Sequence, residues 1–157
     1  FMKRKSLFVA FLLLIICMLS FSACTNDSLD DPYKNYTASG LKAKIMPVDY
    51  ENETFGYDKV ELISDYEKYT GYGLNWGYTA AYFELNDLLI FGVKGCSSDG
   101  LVFGEILENE KVLYPLFYRK KIADNQPVTD DIVLQSYCVE IPKGSEYKSG
   151  EIVFRYK

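Results

Sequence analysis

From Asn86 to Lys157 the chain is a series of short apolar runs rich in β-branched and aromatic side chains, each closed by turn residues. That pattern leaves few folds open. Leu88–Val93 is followed by the turn Gly95-Cys96-Ser97-Ser98-Asp99-Gly100. Leu101–Leu107 and Val112–Tyr118 flank Glu108-Asn109-Glu110, the layout of a hairpin with a short loop. A polar stretch over 119–131 leads to Ile132–Ile141, where Val133, Gln135, Tyr137 and Val139 alternate with Ile132, Leu134 and Cys138. Pro142-Lys143-Gly144 ends that run, and Glu151–Tyr156 is the last one. No helical periodicity separates these segments, and a parallel pairing needs a long crossover, usually a helix. The expectation is a mostly antiparallel sheet.

The preceding segment adds a little helix. Leu41, Ala43 and Ile45 alternate with Lys42 and Lys44 up to Pro47, and Lys59–Ile63 reads as a second strand. Ser64 stands three residues before Glu67, the spacing of a capping box, and predicts a short helix over 65–69 ended by Gly71. Thr79 reads as the cap of a second helical turn over 80–84. The intervening glycines Gly71, Gly73 and Gly77 lack dinucleotide-loop spacing, and no long helix follows them. The fold class expected is α+β, mostly antiparallel β sheet with one or two short helices; a β-sandwich is the alternative.

The N-terminus carries an address. Met2-Lys3-Arg4-Lys5 is basic, Leu7–Phe21 is almost wholly apolar, and the small residues Ser22-Ala23 precede Cys24. This is the build of a secretory signal peptide over 1–23. An apolar run of about 15 residues is short of the roughly 18 to 20 that span a bilayer. Residues 24–40 are polar and read as a tether, which places a single β-rich domain over 41–157.

Phe21-Ser22-Ala23-Cys24 resembles the lipobox of a bacterial lipoprotein, with Phe21 where that family usually has Leu. The resemblance implies a diacylglycerol thioether on Cys24, cleavage before it and acylation of the new amino group. Two or more acyl chains hold a protein stably at a membrane where one does not. Thr25 in place of Asp implies an outer-membrane destination. Asp27, Asp30 and Asp31 resemble the acidic patch of Bacteroides-type surface lipoproteins, and Asp27-Ser28-Leu29 resembles their O-glycosylation motif, with Ser28 as acceptor.

Composition removes several functions. The chain has no histidine and a net charge of −5. Without histidine there is no Ser-His or Cys-His nucleophile pair. An acidic chain repels phosphate backbones, so no nucleic-acid partner is expected. No metal or cofactor is expected either: Asp49, Glu51, Glu53 and Asp58 match no calcium-loop spacing, and Asp124, Thr129, Asp130 and Asp131 read as a solvated loop. In an oxidising compartment Cys96 and Cys138 are either a disulfide or two separate buried thiols.

The run Thr79–Gly100, a hairpin, then Thr129–Lys143 resembles a group of small secreted bacterial domains. The shared pattern falls on Phe83, Asn86, Leu88, Gly95 to Gly100, Thr129, Asp130, Glu140, Ile141 and Lys143. The order is also similar to the C-terminal domain of an accessory subunit of spirochaete surface protease complexes. The resemblance implies a protein-binding accessory role without catalysis.

The densest unusual feature is aromatic. Seven of the 14 tyrosines, and the one tryptophan, lie between Tyr50 and Tyr82. Tyr and Trp offer rigid flat area with one polar tip, which suits protein interfaces and sugar faces. Tyr69, Tyr72, Trp76 and Tyr78 are the candidate binding surface; the alternative is that the rings of this segment form the core and its rim, as aromatics do in β domains, with Tyr66 and Tyr82, inside helical turns, first among its core members. The functional expectation is a membrane-anchored, non-catalytic accessory module with a protein partner. The alternative is a carbohydrate-binding module using segment 66–82.

Overall fold

In order along the chain come β1 (Thr37–Ala38), β2 (Lys44–Met46), β3 (Lys59–Ile63), α1 (Tyr66–Gly71), α2 (Ala80–Leu85), β4 (Asn86–Gly95), β5 (Val102–Asn109), β6 (Val112–Arg119), β7 (Val133–Pro142), β8 (Lys148–Ser149) and β9 (Val153–Tyr156). These elements come from a computed structural model that describes residues 31–48, 55–121 and 129–157. The signal segment, Cys24, Ser28, Asp49, Glu51, Glu53 and Asp124 lie outside the described residues. Tyr36–Lys157 form one compact unit; residues 31–35, which belong to a separate unit, carry a turn in which the Asp31 carboxylate accepts the Tyr33 N–H at 2.9 Å. Among the described residues no helix is long and apolar enough to cross a membrane.

The strands make two sheets. One is four-stranded and antiparallel, in the order β2-β7-β4-β3; the other runs β1-β5-β6-β8, with β9 also on β6. The chain is α+β and mostly antiparallel, with two short helices outside the four-stranded sheet. Alternation explains the layering. In β4, Leu89, Phe91 and Val93 point to one core with Val139, Tyr137, Ile106, Leu113 and Phe117, while Leu88 and Ile90 point to a second core with Ile63, Tyr69, Phe83 and Cys138. A strand covered on both faces must read as a continuous apolar run, as Leu88–Val93 does. In the first core Phe91 stacks on its cross-strand neighbour Tyr137, centroids 5.2 Å apart. Such pairs contribute about 0.5–1.5 kcal/mol beyond their buried area.

Three details depart from the expectations or add to them. The tether does not reach residue 40: Thr37 and Ala38 pair with Glu108 and Leu107 as β1. The second sheet is mixed, since β8 and β9 both pair β6 in parallel. No helix is needed for that, because the chain crosses between them through β7 of the other sheet. Pro115 lies in the interval between these two ladders. Leu113 and Arg119 accept from Gly150 and Lys157, so odd residues of β6 face that edge, and the proline nitrogen falls where no donor is required. Third, α1 is capped by Asp65, whose carboxylate accepts the Lys68 N–H at 2.7 Å, and not by Ser64. Thr79 occupies the N-cap of α2 but makes no side-chain capping bond.

Candidate functional site

The loop between α1 and α2 is fastened to one phenol. The Tyr69 oxygen accepts the Trp76 N–H at 2.8 Å, and the Tyr78 N–H is also directed at it. Gly73 (φ 68°) and Gly77 (φ 82°) take left-handed backbone on either side of Asn75, a conformation that side chains with a Cβ rarely adopt. The loop can therefore fold back over α1.

This arrangement divides the candidate surface. Tyr69 is core, only 2% exposed, beneath Tyr66 and against Phe83. Tyr72 turns away to donate to Glu61 at 2.5 Å and packs edge-on against Phe55. Trp76 is half-buried and its indole donates to the Pro47 carbonyl at 3.1 Å. Tyr78 crosses the sheet to donate to Glu140 at 2.9 Å. The four residues do not form one surface. Tyr66, expected in the core, is 40% exposed, because it stands at the first position of α1 with solvent beyond it. Tyr82 is partly buried against the second core, as its place in α2 suggested.

What opens to solvent is a cleft of about 450 Å³ between α1 and the loop. Tyr66, Tyr69 and Tyr78 supply its aromatic surface, and Thr70, Asn75 and Thr79 its polar groups; no charged side chain lines it. Sequence reasoning chose the tyrosines and missed Asn75 and Thr79. The signal that could have found Asn75 is its position midway between two loop glycines.

Charges gather on either side. Glu61 faces Lys68, Lys59 (3.2 Å) and Tyr72. Burial pushes its carboxyl up, but these hydrogen bonds outweigh it and hold it below the ordinary carboxylate value. The hydrogen bond from Lys44 does the same for Glu140. Burial first, and then Cys138 and Glu140, drive the Tyr78 phenol far above its ordinary value, and burial raises the Cys138 thiol.

A second opening, of about 340 Å³, lies at the seam between the sheets. It is lined by Ala43, Ile45, Leu101, Val102, Phe103, Gln135 and Tyr137. Ile45 is 77% exposed and Val102 57%. Ile45 shares the alternation of Leu41 and Ala43, which do pack on the first core, but β2 is an edge strand and Ile45 is left 77% exposed among the described residues.

The cysteines are not bonded. Cys138 pairs with Ile90 in register, and Cys96 lies six residues farther along β4 and beyond it, roughly 20 Å at the rise of a strand. A disulfide needs Cα atoms within about 7 Å. Other residues of the sequence pattern do meet. Thr129 and Asp131 close over the Cys96–Asp99 turn, Asp131 accepting from the Ser97 hydroxyl at 3.0 Å; the neighbouring Asp130 does not make this bond. Lys143 donates to the Phe83 and Ser64 carbonyls at 2.6 and 2.8 Å, tying the end of β7 to α2. Among the described residues no group of carboxylates and cysteines could hold a metal ion. No protein-family model, curated protein or solved structure matches this chain.

Proposed function

We propose that the chain is a non-catalytic accessory module of the cell envelope, held at the outer membrane by a lipid on Cys24 and engaging a protein partner through β2. The observation that carries this reading is Ile45. Its alternation is that of a core residue, yet it is 77% exposed beside the apolar seam. Burying an isoleucine contributes about 1.5–3 kcal/mol. Left in water it contributes nothing to folding, so the gain is available to a partner that covers it. An extended partner segment added beside β2 would use the edge of the sheet, where β2 is the last strand among the described residues, and seat an apolar side chain in the seam.

The test is a photo-crosslinking residue placed at position 45, 102 or 85 and activated in intact cells. Adducts are expected from 45 and 102 and not from 85, where the native Leu85 is 73% exposed on α2. The Cys24→Ala chain should leave the membrane fraction. Equal adducts from all three positions, or none from 45, would end the partner reading; a Cys24→Ala chain that stays in the membrane would end the anchor.

A further inference from the structure

The cleft beside α1 is separate in residues from the seam at Ile45, and its chemistry asks for a different ligand. We propose that it is a binding site for a neutral saccharide.

Three observations point there. First, its volume of about 450 Å³ falls within the roughly 300–1,000 Å³ of small-ligand sites. Second, its lining is made of aromatic faces, hydroxyls and one amide, without a charged side chain, in a chain of net charge −5. A phosphate, sulfate or carboxylate ligand would find no cation there, and a purely apolar ligand would strip water from Asn75 and Thr79 without replacing it; the Thr70 hydroxyl already donates to α1 carbonyls. A sugar ring offers what the lining wants: an apolar face of C–H groups for Tyr66 and hydroxyls for the polar groups. Third, the floor of the cleft is fixed and the polar groups at its mouth are open to a ligand. Thr79 stands at a helix N-cap, where a threonine hydroxyl ordinarily accepts a backbone N–H, and it makes no such bond. Asn75 is exposed between Gly73 and Gly77, and the floor beneath, Tyr69, is fixed by the backbone N–H it accepts. The Tyr78 hydroxyl is not offered to the cleft, because it donates to Glu140, which Lys44 also engages.

Trp76 does not belong to this site: its indole is spent on Pro47, and it is absent from the lining. The ligand would lie on Tyr66.

The test uses the whole chain in a detergent without a sugar headgroup. Neutral oligosaccharides of glucose, mannose, xylose and N-acetylglucosamine are titrated, with sulfated and uronic-acid oligosaccharides as charged counterparts, while backbone amides are followed by NMR. At least one neutral series should shift the Asn75, Gly77 and Thr79 amides saturably. Tyr66→Ala and Asn75→Ala should each weaken that affinity about tenfold, a loss of 1.4 kcal/mol. Thr79→Ala, which removes a hydroxyl with no capping bond, serves should either of those variants fail to fold. Ile45→Asp should leave sugar affinity unchanged. No response to any neutral sugar, a stronger response to the charged ones, or wild-type affinity in the cleft variants would overturn the proposal. The crosslinks from position 45 are read independently, so either result stands without the other.

Discussion

The hydroxyl of Tyr78 donates to Glu140 across 2.9 Å while lying 3.3 Å from the Cys138 sulfur, so one phenol closes the outer face of β7. Burial, the thiol and the carboxylate all hold its proton on, far above the ordinary value of 10. The folded chain therefore keeps a proton that the unfolded chain releases. The associated stability is complete below pH 10 and is lost as pH rises past it. Tyr82, raised chiefly by burial, acts in the same direction. Urea unfolding at stepped alkaline pH should show stability falling above that value, and Tyr78→Phe should make the fall shallower. Identical slopes for the two proteins would show that this proton is not linked to folding.

The acid side has the opposite sign. Glu61 and Glu140 are both held below 4.5, so their contribution is present above that value and is lost as pH falls through their lowered folded values. Glu61→Gln and Lys44→Met should each flatten the acid limb of the stability profile. Raising the salt should flatten it further for Lys44–Glu140, which is the more exposed of the two clusters.

Tyr69→Phe removes an oxygen that accepts the Trp76 N–H and leaves that donor without it. An unsatisfied buried donor costs about 1–3 kcal/mol. The loop should loosen with it, and Trp76 fluorescence should move to longer wavelength. A variant with wild-type stability and emission would mean that the loop is held by its packing alone.

These residues also show what was legible. The strands of the C-terminal half stood out because a strand buried on one or both faces leaves a period of two or a solid apolar run, as in β4 and β7. β1 and β8 are two residues each and carry no period to read. Parallel pairing at β6 was hidden because its crossover is a strand of another sheet. The aromatic segment was recognised, and Tyr82 packs where expected, but Tyr66 and Tyr69 were assigned to the wrong faces. In helices this short one residue decides the side, which is why Tyr66 and Tyr69 exchanged their expected roles. The choice between a disulfide and two thiols stayed open for a similar reason: an even pair says nothing about distance, and register within β4 and β7 keeps the cysteines apart.

Alkylation of the folded chain without reductant should label Cys96, which is half-buried, faster than Cys138, which is fully buried under Tyr78 with its thiol raised by burial. Peptide mapping after denaturation should find both thiols free. A linked Cys96–Cys138 peptide would refute the register of β4 on β7, because the two positions cannot meet while Ile90 faces Cys138.

The hairpin between β5 and β6 turns on Glu110 (φ 49°) and Lys111 (φ 66°), two left-handed residues of which neither is glycine. Such backbone costs an ordinary L-residue about 1–2 kcal/mol. Two-residue turns of this hand favour Asn-Gly. Lys111→Gly relieves the strain but removes the ammonium 5.0 Å from the Tyr147 ring. That contact is worth about 0.5–1 kcal/mol at an exposed site. Glu110→Asn gives up no such contact. Thermal unfolding should therefore find Glu110→Asn stabilising by about 0.5–1 kcal/mol, with Lys111→Gly gaining no more than that despite relieving the larger positive φ. In the Tyr147→Leu background the cation–π loss vanishes, and Lys111→Gly should then overtake Glu110→Asn. If Lys111→Gly destabilises in both backgrounds, the turn is not strained and the lysine holds it by another contact.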